Sequence, residues 1–353
     1  ALEKEDFNME MPSKKKKSAA KIIGIVLCVL IGLVLLAVLA ARAYFRLSVR
    51  EYYAASQKGF VIPEIHDGLI VQGFDYDESD GVYLITGYYT DGSASPVCLV
   101  GAETGAHEKT VRLTRPDGAA YTGHAGGLAL HGNRLYIAGG EEACLFVYDY
   151  SAVRSAENGA SVPCLGIYEL PARGEDRLGV AFVTEGEDGL IAGEFYRAAN
   201  YPTPASHHLT TPAGDENPAL AVVLAYDDAA PLGLSQKILR AYSMPGLVQG
   251  LASQDGKVYL STSYGPAFSY IFTYDLAKAA PMEGVTVLGQ SVPLYALDSA
   301  SRIHDAKCPP MSEEILLRDG KLYIMNESAS NKSIFGKFTS ARWCYATDLS
   351  YFE

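Results

Sequence analysis

Two histidines and one pair of adjacent glutamates are the residues of this 353-residue chain best suited to proton transfer. His124, His304, Glu313 and Glu314 are the catalytic candidates, because an imidazole and a carboxylate within hydrogen-bond reach can act as general acid and base. The same side chains can instead bind a polar ligand or hydrogen-bond neighbouring loop backbones, and the sequence leaves these alternatives open. The sequence contains no G-x-S-x-G nucleophile motif and no glycine-rich phosphate loop.

A wider set of polar side chains near these positions is suited to ligand binding. We expect a ligand to contact Gln72, His124, Arg177, Gln249, Tyr264, Glu313 and Glu314. We expect no metal site, because the pair His207-His208 has neither H-x-H nor H-E-x-x-H spacing, although Asp215 and Glu216 follow it. We also expect no bound cofactor.

A repeated phrase of two short strands joined by a polar turn must position these residues. Its copies start at residues 72, 126, 178, 249 and 313. Short segments rich in Val, Ile, Leu and Tyr, bounded by Gly, Asp and Asn, are typical of β-strands and tight turns. Four strands in each of five units predict an all-β, five-bladed β-propeller. We expect His124 and His304 to lie in loops that enter inner strands, on the face where such loops converge on the central channel.

The last and third units depart from the simple repeat. The last unit, 312–351, contains about three clear strands, and the segment KGFVIPEI at 58–65 is a candidate fourth strand that closes the ring. The third unit carries a Pro-rich, polar insertion at roughly 197–218, which we expect to lie outside the core. Cys144–Cys164 and Cys308–Cys344 are candidate disulfides, but sequence alone does not give the connectivity.

An uncharged apolar segment from Ile22 to Ala41 precedes the repeats. Its twenty residues are enough for a helix to cross about 30 Å of hydrocarbon, and it exceeds the apolar region of a typical signal peptide. Ala41-Arg42-Ala43 nevertheless resembles a cleavage site. More Lys/Arg residues precede the segment than follow it, which favours a cytoplasmic N-terminus. We expect a cytoplasmic basic tail at 1–21, a transmembrane signal anchor at 22–45, a juxtamembrane linker with the candidate closing strand at 46–67, and an extracytoplasmic propeller at 68–353.

The charge distribution excludes nucleic acid as a partner of the propeller. The whole chain carries a net charge of −12, and residues 1–50 contain nine Lys/Arg against four Asp/Glu, so residues 51–353 carry −17. An acidic surface repels phosphate backbones. We therefore expect contact with the membrane only through residues 22–45.

The repeated phrase resembles that of glutamine cyclotransferases of the five-bladed propeller type. Gln249-Gly250-Leu251 and the Tyr259–Gly265 stretch resemble the family's QGL start and its Tyr-Glu-Ser-Thr-Gly segment, and Ser312–Ile315 resembles its last-blade Asn-Glu-Leu-Glu segment. Residues 309–332 also resemble the final blade of other membrane-anchored or secreted propellers. The resemblance implies the fold and an aminoacyl-cyclising activity. However, the family's acidic residue corresponds to Leu84 or Leu260, and leucine cannot transfer a proton.

These observations predict a membrane-anchored propeller that binds a small polar ligand, a glycan or a peptide at the channel mouth. One alternative is an extracytoplasmic enzyme, either a glutamine cyclotransferase-like transferase or a lyase or hydrolase. That enzyme would use His124 or His304 with Glu313 or Glu314. Another alternative is a scaffold in an envelope protein assembly, which would use the blade edges and the insertion at 197–218.

Overall fold

The structure, a computed structural model, describes residues 13–140, 142–171 and 174–353 and divides into two compact units at Ser48/Val49. The first unit contains the α-helix Ser13–Leu47. From Ala20 to Leu47 this helix is long and apolar enough to cross a membrane, judged by length and composition. Residues 1–12 and the side chains of residues 13–19 lie outside the described part, and most of the basic tail expected at 1–21 falls there.

The second unit is a ring of five mainly antiparallel sheets, one for each copy of the repeat. Blade 1 contains Leu69–Asp77, Val82–Tyr89, Pro96–Gly101 and His107–Leu113; blade 2 contains Leu128–His131, Arg134–Ala138, Cys144–Asp149 and Cys164–Glu169. Blade 3 contains Phe182–Glu185, Leu190–Gly193, Ala219–Tyr226 and Leu234–Met244; blade 4 contains Val248–Gln254, Lys257–Thr262, Ser269–Asp275 and Arg302–Cys308. Blade 5 contains Ser312–Arg318, Lys321–Asn326, Trp343–Asp348 and Ser56–Val61. The first strands of the five blades contact one another in a ring, which confirms the predicted five-bladed propeller.

Shorter elements decorate the blades. Two short strands extend blades 1 and 3 in parallel pairing, namely Ser161–Val162 and Leu294–Ala296. Two small hairpins are Leu209–Thr210 with Glu216–Asn217 and Thr286–Val287 with Gln290–Ser291. The short α-helices are Arg50–Ala55, Tyr150–Ser155 and Gly336–Thr339, and the 3-10 turns are Gly174–Asp176, Ala205–His207, Leu276–Lys278, Glu327–Ala329 and Leu349–Phe352.

A strand from the start of the second unit closes the ring. Ser56–Val61 pairs antiparallel with Trp343–Asp348, so the last blade takes its outer strand from the opposite end of the unit. The expected closing strand is therefore present, slightly earlier than residues 58–65. Phe60 on this strand is 2% exposed and its ring lies 5.0 Å from that of Tyr83 in blade 1. The closing strand thus joins the core between blades 5 and 1.

Glycines allow the inner strands to approach closely around the axis. A Cβ added to Gly73 would lie 2.6 Å from the Thr86 methyl group and 2.7 Å from the backbone nitrogen of Leu128. A Cβ added to Gly250 would lie 2.6 Å from the Cα of Glu314. Because real Cβ atoms do not approach so closely, packing requires glycine at positions 73 and 250.

The insertion and the cysteines differ from what the sequence predicts. The insertion at 197–218 does not lie wholly outside the core, since His207, Thr211 and Asn217 are almost fully buried. The reason is that each has a polar partner: Glu194 at 2.9 Å for His207 Nδ1, and backbone groups for Thr211 and Asn217, although His207 Nε2 has no hydrogen-bond partner. All six cysteines are free thiols in the structure, so neither candidate disulfide is formed.

Candidate ligand-binding site at the channel mouth

Side chains from four blades meet on one face of the propeller, at the mouth of the channel. They come from the end of the second strand of blade 1, the loop that enters blade 2, the inner strands of blades 4 and 5, and the segment after the second strand of blade 5. We call this group the mouth cluster; its members are Tyr88, His124, Gln249, Glu313, Glu327 and Lys332. Each is connected to another member by a contact or an electrostatic interaction described below.

His124 presents an exposed imidazole in this cluster. Its ring stacks on that of Tyr88, with centroids 4.3 Å apart and planes 29° apart. Within the part of the chain that the structure describes, no residue hydrogen-bonds the His124 ring. The surrounding protein, and then the positive charge of Lys332, lower the pKa of His124. The ring is therefore neutral near pH 7, with one nitrogen able to donate and one able to accept a hydrogen bond.

Lys332 links two other members of the mouth cluster. Its Nζ donates a hydrogen bond to the Tyr88 hydroxyl at 2.9 Å and lies 3.6 Å from Glu327 Oε1. Half of the Lys332 side chain is exposed, whereas only 13% of the Glu327 side chain is. Burial raises the pKa of Glu327 although the charge of Lys332 opposes the shift. The ammonium group of the half-exposed Lys332 side chain is therefore accessible to a ligand.

Glu313 lies at the base of the cluster and is 1% exposed. Gln249 Nε2 donates to Glu313 Oε1 over 3.5 Å, which is a long hydrogen bond. Burial, followed by the negative charges of Glu327 and Glu314, raises the pKa of Glu313 well above its usual value. A neutral carboxylic acid at this position can donate a hydrogen bond as well as accept one.

The neighbouring Glu314 has a different role from the predicted one of ligand contact. It is 0% exposed, and its Oε2 accepts hydrogen bonds from the backbone nitrogens of Phe74 and Leu128, the latter at 3.0 Å. Glu314 Oε1 is buried without a partner. Burial raises its pKa well above the usual value despite these bonds. Glu314 therefore ties the inner strands of blades 1 and 2 to blade 5.

Three other predicted ligand-binding residues form none of the contacts described for the mouth cluster. Gln72 is 4% exposed and its amide nitrogen donates to the backbone oxygen of Val71 at 2.7 Å, so its donor is directed to its own strand. Arg177 is exposed in the loop that enters blade 3. Tyr264 is 39% exposed, and the guanidinium of Arg197 lies 4.0 Å from its ring centroid. The structure thus places Arg177 and Tyr264 on blades 3 and 4.

The predicted position of His304 is wrong. His304 does not lie in a loop before an inner strand; it lies on Arg302–Cys308, the outermost strand of blade 4, where it pairs with Thr273. The sequence resembles a polar loop because the first four residues of this outer strand are exposed or half-buried and three of them are polar. The expected pairing of His304 with Glu313 or Glu314 has no support in this arrangement, because those residues lie on the inner strand of blade 5.

Sequence analysis missed a buried acid–histidine–acid group in blade 3. His207 is 1% exposed; its Nδ1 lies 2.9 Å from Glu194 Oε2, and its Nε2 lies 3.4 Å from Asp176 Oδ1. Glu194, also 1% exposed, accepts a further hydrogen bond from the backbone nitrogen of Leu220 at 3.0 Å. We call Asp176, Glu194 and His207 the blade-3 triad. It fastens the insertion to the second strand of the blade and to the loop that carries Arg177.

One further group in the described ranges has the residue types of a metal site. Ligand atoms of Glu64, Cys98 and His107 lie within 4.8 Å of one another. However, the Thr110 hydroxyl lies among them, 2.9 Å from His107 Nε2 and 3.4 Å from Cys98 Sγ. Burial raises the pKa of Cys98 to about 12, so the thiol stays protonated. A hydrogen-bonded network centred on Thr110 accounts for this group.

Comparison with known proteins identifies similar folds. No model of a protein family and no curated protein matches the sequence. Similar solved structures include a glutaminyl cyclase from Myxococcus xanthus, with 12% identity, coverage of 83% of this chain and 93% of that chain, and a TM-score of 0.43. They also include the PQQ-bound form of an aldose sugar dehydrogenase from Streptomyces coelicolor, with 12% identity, coverage of 82% and 95%, and a TM-score of 0.43. BamB from Moraxella catarrhalis has 10% identity, coverage of 79% and 83%, and a TM-score of 0.33. Similarities at this level carry no inference about activity.

Proposed function

We propose that this protein is a membrane-anchored, extracytoplasmic propeller that binds a small polar ligand at the channel mouth. The observation that carries the proposal is the exposed His124 imidazole, which lacks a hydrogen-bond partner among the described residues. The nearly buried Glu313 lies in the same cluster with only one long hydrogen bond. Polar groups that converge on a rigid concave surface without internal partners are what ligand recognition requires.

Binding is better supported than catalysis at this position. A general acid–base pair needs an imidazole and a carboxylate within about 3 Å, directly or through one water. His124 instead stacks on Tyr88 and forms no hydrogen bond with a described carboxylate. Leu84 and Leu260, which replace the acidic residue of glutamine cyclotransferases, are both 0% exposed in the apolar core. Transferase activity is therefore the weaker proposal.

The anchor proposal is supported by the apolar helix segment Ala20–Leu47. We propose that it crosses the membrane once, with the lysine-rich side cytoplasmic and the propeller outside. Cysteine accessibility on intact cells tests this orientation. A single cysteine introduced at the exposed position Gly92 should react with a membrane-impermeant maleimide, whereas reaction only after lysis would contradict it.

A ligand screen on the full chain in detergent tests the proposed binding. A library of monosaccharides, oligosaccharides, amino acids and short peptides is screened by thermal shift, because a ligand stabilises the state that binds it. We expect the stabilisation by any hit to be lost in His124→Ala and retained in His66→Ala, where the replaced histidine is also exposed. A hit whose stabilisation survives both His124→Ala and Glu313→Gln would contradict the proposed site.

A further inference from the structure

Two arginines on blade 3 lack the carboxylate partners that most arginines of this acidic propeller have. Arg112, Arg115, Arg154, Arg240, Arg302 and Arg318 each lie within 4.0 Å of a carboxylate oxygen. In the described part of the chain, Arg177 has no hydrogen bond or ion pair. Arg197 bonds the Asn200 side-chain oxygen and stacks on Tyr264, again without a carboxylate. Residues 51–353 carry a net charge of −17, and these two guanidinium groups on one blade are not neutralised by a carboxylate in contact with them.

The blade-3 triad connects the segments that carry these arginines. Asp176 immediately precedes Arg177, and Glu194 lies three residues before Arg197. Both acidic residues contact the same buried imidazole, that of His207. Ser206 strengthens the connection by donating to Asp176 Oδ1 at 2.6 Å. The two arginine-bearing loops are therefore tied to one another on the mouth side of the blade.

Aromatic rings lie beside the arginines. Tyr264 and Tyr201 are 39% and 43% exposed, although both are large aromatic residues. Phe195 packs between their loops, with its ring 5.3 Å from Tyr201 and 6.4 Å from Tyr264. Exposed aromatic rings next to planar hydrogen-bonding groups offer a surface on which the apolar face of a sugar ring can pack. Tyr264 lies in the loop between the second and third strands of blade 4. The inner strand of the same blade carries Gln249, a member of the mouth cluster.

We propose that the ligand of the channel mouth is an acidic carbohydrate, whose carboxylate binds Arg177 and Arg197 while its sugar rings pack on Tyr264 and Tyr201. This inference rests on the proposed function and extends the same site toward blades 3 and 4. A guanidinium matches a carboxylate with two parallel hydrogen bonds, which selects a planar anion. His124, Gln249 and Glu313 then bind sugar hydroxyl groups. Burial raises the pKa of Glu313, which disfavours a negative charge there that would repel an anionic ligand.

The test compares acidic oligosaccharides with neutral counterparts that lack the carboxylate or the acidic sugar. Titration calorimetry on the full chain in detergent uses trigalacturonate and sialyllactose as acidic probes, with trigalactose and lactose as neutral counterparts and a Glu-rich tetrapeptide as a non-sugar acid. We expect an acidic sugar to bind, its neutral counterpart to bind about tenfold more weakly or worse, and the peptide not to bind. Arg177→Gln and Arg197→Gln should each weaken the acidic sugar about tenfold.

A matched control is Arg134→Gln. Arg134 also lacks a carboxylate partner among the described residues. It begins the second strand of blade 2, just after the hairpin turn, and donates a hydrogen bond to the Pro231 backbone oxygen at 3.2 Å. We expect it to leave binding unchanged. Suppose instead that acidic and neutral sugars bind equally, with binding lost in His124→Ala but not in the arginine variants. That result would overturn this inference and still support the proposed site at the channel mouth. Binding of the peptide alone, or failure of both acidic sugars, would overturn the carbohydrate inference.

Discussion

The carboxylate of Glu314 in blade 5 accepts a hydrogen bond from the backbone nitrogen of Leu128 in blade 2 at 3.0 Å. These two residues belong to non-adjacent blades, so the bond crosses the axis of the ring. The preceding residue, Glu313, instead reaches Gln249 and the mouth cluster. Because successive side chains on a strand point in different directions, two adjacent glutamates serve the scaffold and the candidate site separately.

Removing the Glu314 carboxylate should destabilise the propeller. Glu314→Leu leaves the buried nitrogens of Phe74 and Leu128 without an acceptor, at a cost of about 1–3 kcal/mol for each. Glu314→Gln keeps one acceptor oxygen and should cost less. Urea unfolding of the full chain measures the difference. The exposed substitution Glu103→Leu is the control and should stay within about 0.5 kcal/mol of the wild type. Equal stability of Glu314→Leu and wild type would refute the cross-axis role.

Stability should also decline with rising pH because of the buried acids. The folded-state pKa of Glu314 lies well above its value in the unfolded chain, so the folded state binds the proton more tightly. The free energy of unfolding therefore falls as the pH rises from the unfolded pKa of about 4.3 toward the folded one. Unfolding measured from pH 5 to pH 8 should show a shallower decline in Glu314→Gln than in wild type. A steeper decline in the variant would contradict the direction of the shift.

A methyl group at the axis should be poorly tolerated. The Cβ of Gly73→Ala would lie 2.7 Å from the Leu128 nitrogen, so the inner strands must separate, at a cost of about 1–3 kcal/mol. Gly179→Ala is the matched control, because its Cβ would meet only the Gly140 oxygen, at 4.0 Å. Thermal unfolding of both variants measures the difference. A Gly179→Ala variant as unstable as Gly73→Ala would show that the close approach at the axis is not the cause.

The closing strand should contribute strongly to stability. Phe60→Ala removes a ring that is 2% exposed and packs on Tyr83, which should cost about 3–5 kcal/mol. The next residue, Val61, is 39% exposed, so Val61→Ala on the same strand should have a small effect. Limited proteolysis should cut Phe60→Ala near this strand first. If both substitutions had similar small effects, the strand would not close the ring in solution.

The five-bladed ring could be predicted because the repeated sequence reflects what each blade needs locally in order to fold. Residues typical of strands, turns that contain Gly with Asp or Asn, and a glycine at or near the start of four of the five inner strands are requirements of single blades, so they recur along the chain. The closing strand was predictable for a related reason: the last unit lacked a fourth strand, and 58–65 was the unassigned β-like segment. Blade edges that remain unpaired are unfavourable.

The roles of single residues were harder to predict because they depend on distant partners. Nothing in the sequence distinguishes Glu313 from Glu314, since the partners of Glu314 are backbone groups of other blades. The sequence around His207 indicates a polar surface loop, because the carboxylates that contact its imidazole lie 13 and 31 positions away. The ring that stacks on His124 belongs to Tyr88 in another blade. The one local hint of this contact in the sequence is an aromatic residue at the end of the second strand of blade 1.

The imidazole signal of His124 tests the central claim most directly. Histidine labelled with carbon-13 at the ring gives one NMR signal for each of the seven histidines, and the signal missing from His124→Ala identifies that residue. Addition of a ligand found by the thermal screen should shift this signal and leave that of His66 in place. A ligand that stabilises the protein while the His124 signal stays unchanged would contradict binding at the channel mouth.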